Sequence, residues 1–222
     1  MPVKVKICGV RTPAVIAAAA EAGADYVGFV FFPRSLRYVS LEDAAPLAEA
    51  ARGKIKTVAV LVDPEDSLIE KVARIVRPDM LQLHGGETPE RAAAIKARTE
   101  LPILKAIPVG GASDVKEADA FAGIADMILF DSMAPSRTGV SGGNGVAFDW
   151  RALRGLSREQ PFALSGGLNP GNVGEALART GASLLDVSSG VESAPGEKDA
   201  ELVRQFVLAA KAVRPKNGAA SS

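Results

Sequence analysis

The stretch between residues 161 and 192 constrains the fold of this chain more strongly than any other segment. It reads as a strand (162–164), a glycine turn, a helix, a second strand (184–187) and a second glycine turn. The two turns contain Ser165, Gly166 and Gly167, and Ser188, Ser189 and Gly190. Two strands joined through a helix in this way form a βαβ unit, which indicates a parallel sheet.

The turns of this unit combine free backbone N–H groups and hydroxyls with the start of a helix. We predict that Asn169 caps that helix and that Pro170 occupies its first turn. Such a combination is suited to a dianion such as phosphate. In a (β/α)₈ barrel the phosphate site follows strands seven and eight, and this unit is the last βαβ unit of the chain. The stretch therefore predicts a TIM barrel and a phosphorylated substrate together.

Strands and helices alternate along the whole chain, which is typical of parallel α/β folds. We predict eight strands, at residues 3–8, 26–32, 57–62, 80–83, 103–107, 127–130, 162–164 and 184–187. An open, doubly wound sheet could show the same alternation, but eight units without a spare edge element favour closure. We therefore expect a single-domain (β/α)₈ TIM barrel over residues 1–214 and a disordered tail at 215–222. The Gly-rich loop 132–147 is predicted to act as a lid.

The composition argues against several classes of function. The chain has 26 Lys and Arg and 26 Asp and Glu, so no basic field suggests nucleic acid or an anionic membrane as a partner. One cysteine and one histidine argue against disulfides and the usual zinc sites, and we expect neither metal nor cofactor. The N-terminal sequence MPVKVKICG reads as a strand rather than a signal peptide. We expect a cytoplasmic monomer or homodimer that binds a phosphorylated small molecule.

The chemistry of a TIM barrel lies at the carboxyl ends of its strands, and Cys8 ends the first one. A lone cysteine is often only a small buried hydrophobe. Strand alternation, however, places Lys4, Lys6 and Cys8 on one face, and a nearby lysine can favour a thiolate by its charge. We also hypothesise that Lys6 forms an interior ion pair with Asp186, because the first and last strands are neighbours in a closed barrel.

Asp131 follows the apolar run of the sixth strand. It could be an ordinary turn or cap residue, but alternation places Leu129 and Asp131 on one face and Phe130 on the other. A carboxyl group that faces inward at a barrel mouth can serve as a general acid. Asp131 would then face Cys8 across the mouth, which is the layout of a two-sided acid–base site.

Other polar residues at strand exits have both a structural and a functional interpretation. Arg37, in the loop after the second strand, could be solvated or could hold a carboxylate by a bidentate contact, with Arg34 as a weaker candidate. His84 leaves the fourth strand and either anchors its loop or supports the site. Asp63 is most simply the N-cap of the third helix.

Seven segments, in order along nearly the whole chain, resemble the phosphoribosylanthranilate isomerase family. They are KICG (6–9), GADYVGFVF (23–31), SLRYVS (35–40), QLHG (82–85), GGNGVAFDW (142–150), LSGGLNPGNV (164–173) and DVSSGVESAPGEKD (186–199). No single segment is sufficient, but KICG together with SGGLNP and DVSSGVE is highly specific. The family's fold is a (β/α)₈ barrel, in agreement with the alternation.

The resemblance implies an isomerase of tryptophan biosynthesis that performs an Amadori rearrangement of N-(5-phosphoribosyl)anthranilate without metal or cofactor. It implies that Cys8 is the general base and Asp131 the general acid. It further implies that Arg37 meets the anthranilate carboxylate and that the two glycine turns hold the phosphate. Together with the residues at the other strand ends, the candidate substrate-binding residues are Arg37, His84, Gly166, Gly167, Asp186, Ser188, Ser189 and Gly190.

Two other functions remain alternatives at this point. The related histidine-pathway isomerase performs the same chemistry on ProFAR, a larger substrate with two phosphates, but it has an aspartate where Cys8 stands and a second phosphate turn in mid-chain. Here the mid-chain exit, 84–87, ends in an acidic residue. A catalytically silent barrel that binds a phosphorylated metabolite is the other alternative, and it would be expected to lack Cys8 or Asp131.

Overall fold

The computed structural model describes residues 3–132, 150–153 and 161–213. Its main strands are β1 (Lys4–Cys8), β2 (Tyr26–Val30), β3 (Lys56–Leu61), β4 (Met80–Leu83), β5 (Ile103–Val109), β6 (Met127–Ser132), β7 (Phe162–Leu164) and β8 (Leu184–Val187). These strands form a closed barrel in chain order, and β1 pairs in parallel with both β2 and β8. The predicted TIM barrel is confirmed, and the open sheet is wrong.

Helices follow most of the strands and cover the barrel. They are α1 (Pro13–Ala22), α2 (Leu41–Ala51), α3 (Asp66–Lys71) with a π-helical continuation (Val72–Val76), α4 (Pro89–Thr99), α5 (Val173–Thr180) and α6 (Ala200–Ala212). Shorter 3₁₀ helices span Asp114–Phe121, Trp150–Leu153 and Ser189–Val191. An antiparallel pair, β9 (Glu192–Ala194) and β10 (Glu197–Lys198), lies between β8 and α6.

Alternation along the strands divides the core into two layers. Outward-facing side chains such as Val5, Ile7 and Phe29 are buried against the helices. Inward-facing side chains form a separate cluster that fills the barrel: Tyr26, Val58, Leu104, Ala106, Leu129, Ala163 and Leu184. The faces of β1 and β6 are therefore as predicted, and Cys8 and Asp131 share the inward parity of this second cluster.

Two predicted helix caps are wrong. Asp63 has a positive φ of 44° and lies before the helix, whose N-cap is Glu65. Its backbone N–H instead donates to Glu87 Oε1 at 2.9 Å, which fixes the β3 exit against the β4 exit. Asn169 accepts from Gly171 N at 2.9 Å in a turn that precedes α5, and Asn172 is the N-cap of that helix. Turn formation by the Asn169 side chain delays the helix by three residues.

Some predictions lie outside the described residues. These are the lid, apart from Ser132, and the tail at 215–222. The division into one domain over 1–214 stays a prediction. In the part of the chain that is described, each helix is too short or too polar to cross a membrane.

Candidate active site

An ion pair lies inside the barrel where β1 meets β8. Lys6 and Asp186 are register partners, and Lys6 Nζ donates to Asp186 Oδ2 at 2.8 Å, as hypothesised. Burial acts to lower the pKa of Lys6, but the Asp186 and Cys8 charges raise it above its ordinary value. For Asp186 the effect of burial has the opposite sign: burial raises the pKa of the carboxyl group, and the contact with Lys6 opposes that rise. The pair is a buried, mutually dependent unit directly below the mouth.

Cys8 stands one inward position above this pair, at the end of β1, and is partly exposed. Burial raises the pKa of its thiol, while the positive charges of Lys6 and Lys198 oppose that rise and Asp186 adds to it. The predicted influence of Lys6 is therefore present, but burial outweighs it. In the free protein at neutral pH the thiol is the dominant form.

Asp131 lies on β6 with its carboxylate buried at the mouth. Its Oδ2 is 3.2 Å from His84 Nε2, and His84 Nδ1 is 2.7 Å from Gln82 Nε2. With the Gln82 amide nitrogen as donor, Nδ1 of a neutral His84 is the acceptor, and its Nε2–H is the group that contacts Asp131 Oδ2. Within the described residues, Asp131 Oδ1 has no hydrogen-bond partner. One carboxylate oxygen is thus held by His84, and the other is buried with its hydrogen-bonding capacity unused within the described residues.

Gln82 was missed by the sequence analysis. It is fully buried in β4, and it shares its inward parity with His84. That parity, in the segment QLHG, is the signal that could have identified it. The structure brings His84 to Asp131, so its predicted supporting role is the one that its contacts favour.

Arg37 packs over the exit of β1 but is already paired. Its Nε and Nη2 donate to Glu192 Oε1 and Oε2 at 2.6 and 2.9 Å. A Cβ at Gly9, where φ is 78°, would lie 2.6 Å from Arg37 Cδ, so the glycine admits this close approach. The expected bidentate contact with a ligand would therefore compete with Glu192, and within the described part of the chain Nη1 has no acceptor. Sequence reasoning missed Glu192 and its second partner, Lys198.

The two glycine turns after β7 and β8 pack directly on each other. A Cβ at Gly190 would lie 1.8 Å from the Leu168 carbonyl oxygen, and one at Gly166 would lie 2.3 Å from Ser132 Oγ. Gly166 and Gly167 also have positive φ angles of 89° and 66°. Ser188 Oγ donates to the Cys8 carbonyl at 3.2 Å, which ties the second turn to the end of β1. The predicted phosphate residues therefore form one tight group beside Cys8.

The mid-chain exit has a different construction. Glu87 is buried and accepts from Gly85 N at 3.0 Å and from Asp63 N at 2.9 Å. Its other partner is the buried Lys105, at 2.8 Å. A carboxylate of the protein thus takes the N–H groups that a second phosphate would need at this strand end. Among the described residues no cluster of His, Cys, Asp and Glu with metal-ligand geometry was found.

A closed (β/α)₈ barrel with a thiol, a held carboxylate and paired glycine turns at one mouth defines a TIM-barrel enzyme of the acid–base class. Residues 5–209 match the sequence model of the family described as "N-(5'phosphoribosyl)anthranilate (PRA) isomerase". The chain belongs to the N-(5'-phosphoribosyl)anthranilate isomerase family.

Individual relatives agree with the family match. The chain is 49% identical over 219 residues to an N-(5'-phosphoribosyl)anthranilate isomerase of Mesorhizobium japonicum, covering 99% of this chain and 100% of the relative. A solved phosphoribosyl anthranilate isomerase in complex with reduced 1-(o-carboxyphenylamino)-1-deoxyribulose 5-phosphate has a TM-score of 0.82 and 36% identity, over 94% of this chain and 98% of its own. A structure of monomers of the dimeric enzyme from Thermotoga maritima has a TM-score of 0.81 and 36% identity, with the same coverage.

Proposed function

We propose that Cys8 and Asp131 carry the two proton transfers by which this isomerase converts N-(5-phospho-β-D-ribosyl)anthranilate to 1-(2-carboxyphenylamino)-1-deoxy-D-ribulose 5-phosphate in tryptophan biosynthesis. The observation that carries the assignment is the arrangement of the mouth. A carboxylate held on one oxygen by His84 and a thiol beside a buried lysine lie at the same end of the barrel as the glycine turns.

The acid step falls to Asp131. For this step Asp131 acts in its carboxylic acid form: the proton on Oδ1 passes to the ribose ring oxygen, the bond from C1 to that oxygen breaks, and an iminium is left at C1 with Asp131 as the carboxylate. His84 holds Oδ2 during this step, so the carboxyl group does not rotate away from the ring oxygen. When C2 later loses its proton, the electron pair of the C2–H bond is accepted by the iminium nitrogen of the substrate itself. The proposed steps therefore call for no cofactor.

The base step falls to Cys8. Its thiolate removes the proton from C2 of the iminium and gives an enolamine, which tautomerises to the ketone. Burial disfavours the thiolate in the free enzyme, and a bound iminium would supply positive charge next to it. The nucleophilic power of the thiolate is not used, since no covalent intermediate is needed.

The remaining residues bind the substrate. Gly166, Gly167, Ser188, Ser189 and Gly190 present backbone N–H groups and hydroxyls to the phosphate, and Asp186 lies below the ribose with Oδ1 unpartnered among the described residues. Arg37 receives the anthranilate carboxylate through Nη1, or through its whole fork if Glu192 is displaced. We further propose a cytoplasmic enzyme, as a biosynthetic family suggests, and a monomer or homodimer in solution.

The activity is tested with substrate generated in situ from anthranilate, phosphoribosyl pyrophosphate and the transferase. We expect rapid loss of anthranilate-type fluorescence when the protein is added. ProFAR serves as the second substrate, and the occupied mid-chain exit predicts that it is not turned over. Folded protein that acts on ProFAR alone would favour the rival isomerase, and inactivity on both would favour a silent binder.

Gly190→Ala is expected to raise KM about tenfold or more with a smaller change in kcat. The added methyl group would meet the Leu168 carbonyl at 1.8 Å, so the two phosphate turns must separate. Overpacking of this kind costs about 1–3 kcal/mol. Steady-state kinetics check the effect. Gly174→Ala, whose Cβ would lie an ordinary 3.6 Å from Val213, is the control, and equal KM changes in both variants would contradict the proposed turn packing.

A further inference from the structure

Lys198, on β10, is linked to the end of β1 by two hydrogen bonds. Its side chain is 2% exposed, and its Nζ donates to Ser188 Oγ at 3.3 Å. Ser188 Oγ in turn donates to the carbonyl of Cys8 at 3.2 Å. These two hydrogen bonds hold the ammonium group close to the strand end that carries the thiol.

The carboxylate partner of Lys198 is shared with a second cation. Glu192 Oε1 contacts Lys198 Nζ, and the two carboxylate oxygens accept from Nε and Nη2 of Arg37. Glu192 also accepts from Gly196 N at 3.1 Å. Burial acts to raise the pKa of Glu192, but Arg37 and Lys198 lower it to about 2, so Glu192 is ionised at neutral pH. One negative charge therefore faces two positive charges, and this cluster carries a surplus of one positive charge.

The other charged groups near the thiol are a paired cation and anion. Lys6 on β1 is bound to Asp186 on β8 at 2.8 Å, so this pair has no net charge, although Lys6 favours the thiolate more strongly than Asp186 opposes it. Lys198 acts on Cys8 in the same direction as Lys6. The cluster of Arg37, Glu192 and Lys198 therefore adds a net positive charge on the β10 side of the thiol.

We propose that Lys198 is a positioning residue for the isomerisation: its buried ammonium, fixed between Glu192 and Ser188, stabilises the thiolate of Cys8. Through Glu192 the same group holds Arg37 over the exit of β1. Burial lowers the pKa of Lys198, and the contact with Glu192 opposes that change. The proposal rests on the role of Cys8 as the base, but its test does not depend on turnover.

The test measures the titration of the Cys8 thiol directly. The chain has one cysteine, so the rate of alkylation by iodoacetamide as a function of pH, followed by mass spectrometry, reports on Cys8 alone. Lys198→Met keeps the length of the side chain and removes its charge. We expect the midpoint of the alkylation profile to rise by about one pH unit.

A second variant separates the charge of Lys198 from its packing. Lys198→Arg keeps the positive charge and is expected to remain close to the wild-type midpoint, whereas Lys198→Met is expected to raise it. General loosening of the hairpin would shift the midpoint of both variants in the same direction.

Lys105→Met is the matched control. Lys105 is 3% exposed and is paired with a buried carboxylate, Glu87, but it lies on β5, across the barrel from Cys8. Its loss is expected to lower the melting temperature without moving the alkylation midpoint. An unchanged midpoint in Lys198→Met, an equal rise in Lys198→Arg, or an equal shift in Lys105→Met would each overturn the proposal. Failure of the isomerase assay with the expected shifts would instead count against the proposed role of Cys8.

Discussion

Replacing Cys8 with serine is expected to lower kcat by about three orders of magnitude while the protein remains folded. General acid–base catalysis contributes about 10²–10⁴ to a rate, and a serine hydroxyl is too weak an acid to supply its anion at neutral pH. Serine is close in size to cysteine, and the position is partly exposed, so the barrel should tolerate it. The fluorescence assay measures the loss, and circular dichroism verifies the fold.

Ile7→Val is the control for this variant. Ile7 is the preceding residue on β1 but points outward into the helix layer, where the truncation costs about 0.5–1.5 kcal/mol of stability. It should leave kcat nearly unchanged. Turnover of Cys8→Ser close to that of the wild type would remove Cys8 from the mechanism, whatever the behaviour of the control.

The pH dependence follows from the same residue. Burial raises the pKa of the thiol above its ordinary value, and the base must be deprotonated to act. The thiolate fraction of Cys8 in the free enzyme therefore grows as the pH rises towards that pKa and shrinks as the pH falls. We expect the rate at which iodoacetamide alkylates Cys8 to continue rising above neutral pH, and a flat alkylation profile through this range would contradict a raised thiol pKa.

The barrel could be predicted from the sequence because few folds are compatible with eight strands that alternate with helices along the whole chain. The faces of β1 and β6 followed from counting every second residue, and the pair of Lys6 with Asp186 followed from closure. A period of two fixes which face a residue takes, and closure fixes which strands are neighbours. These two rules together place Cys8 and Asp131 at one mouth.

The contacts that could not be predicted from the sequence are those between loops. Glu192 and Lys198 lie on a hairpin after β8, and no periodicity relates them to Arg37 on the loop after β2. Asp63 and Asn169 are both suitable cap residues by type, yet tertiary contacts and local turns move the helix starts beyond them. Loop partners depend on the folded arrangement, which local propensity does not encode.

Asp131→Asn is expected to lower kcat by about 10²–10⁴ with little change in KM. The asparagine side chain keeps the shape of aspartate and can still accept from His84 Nε2, but its amide cannot transfer a proton to the ribose ring oxygen. The loss should therefore appear in the chemical step rather than in binding. Steady-state kinetics over a range of substrate concentrations separate the two.

Asp126→Asn is the matched control, because it makes the same substitution at the amino end of the segment that carries Asp131 near its carboxyl end. Asp126 lies just before β6, accepts from Ile103 N at 2.8 Å and pairs with Lys96, so the change affects stability at the amino end of the barrel and not the mouth. If Asp131→Asn retained wild-type kcat, or raised only KM, Asp131 would be a binding residue and the acid would have to be sought elsewhere. If both variants lost activity equally, the loss would reflect the integrity of β6. A selective loss of kcat would assign the proton transfer to Asp131, whose Oδ1 is the carboxylate oxygen without a partner among the described residues.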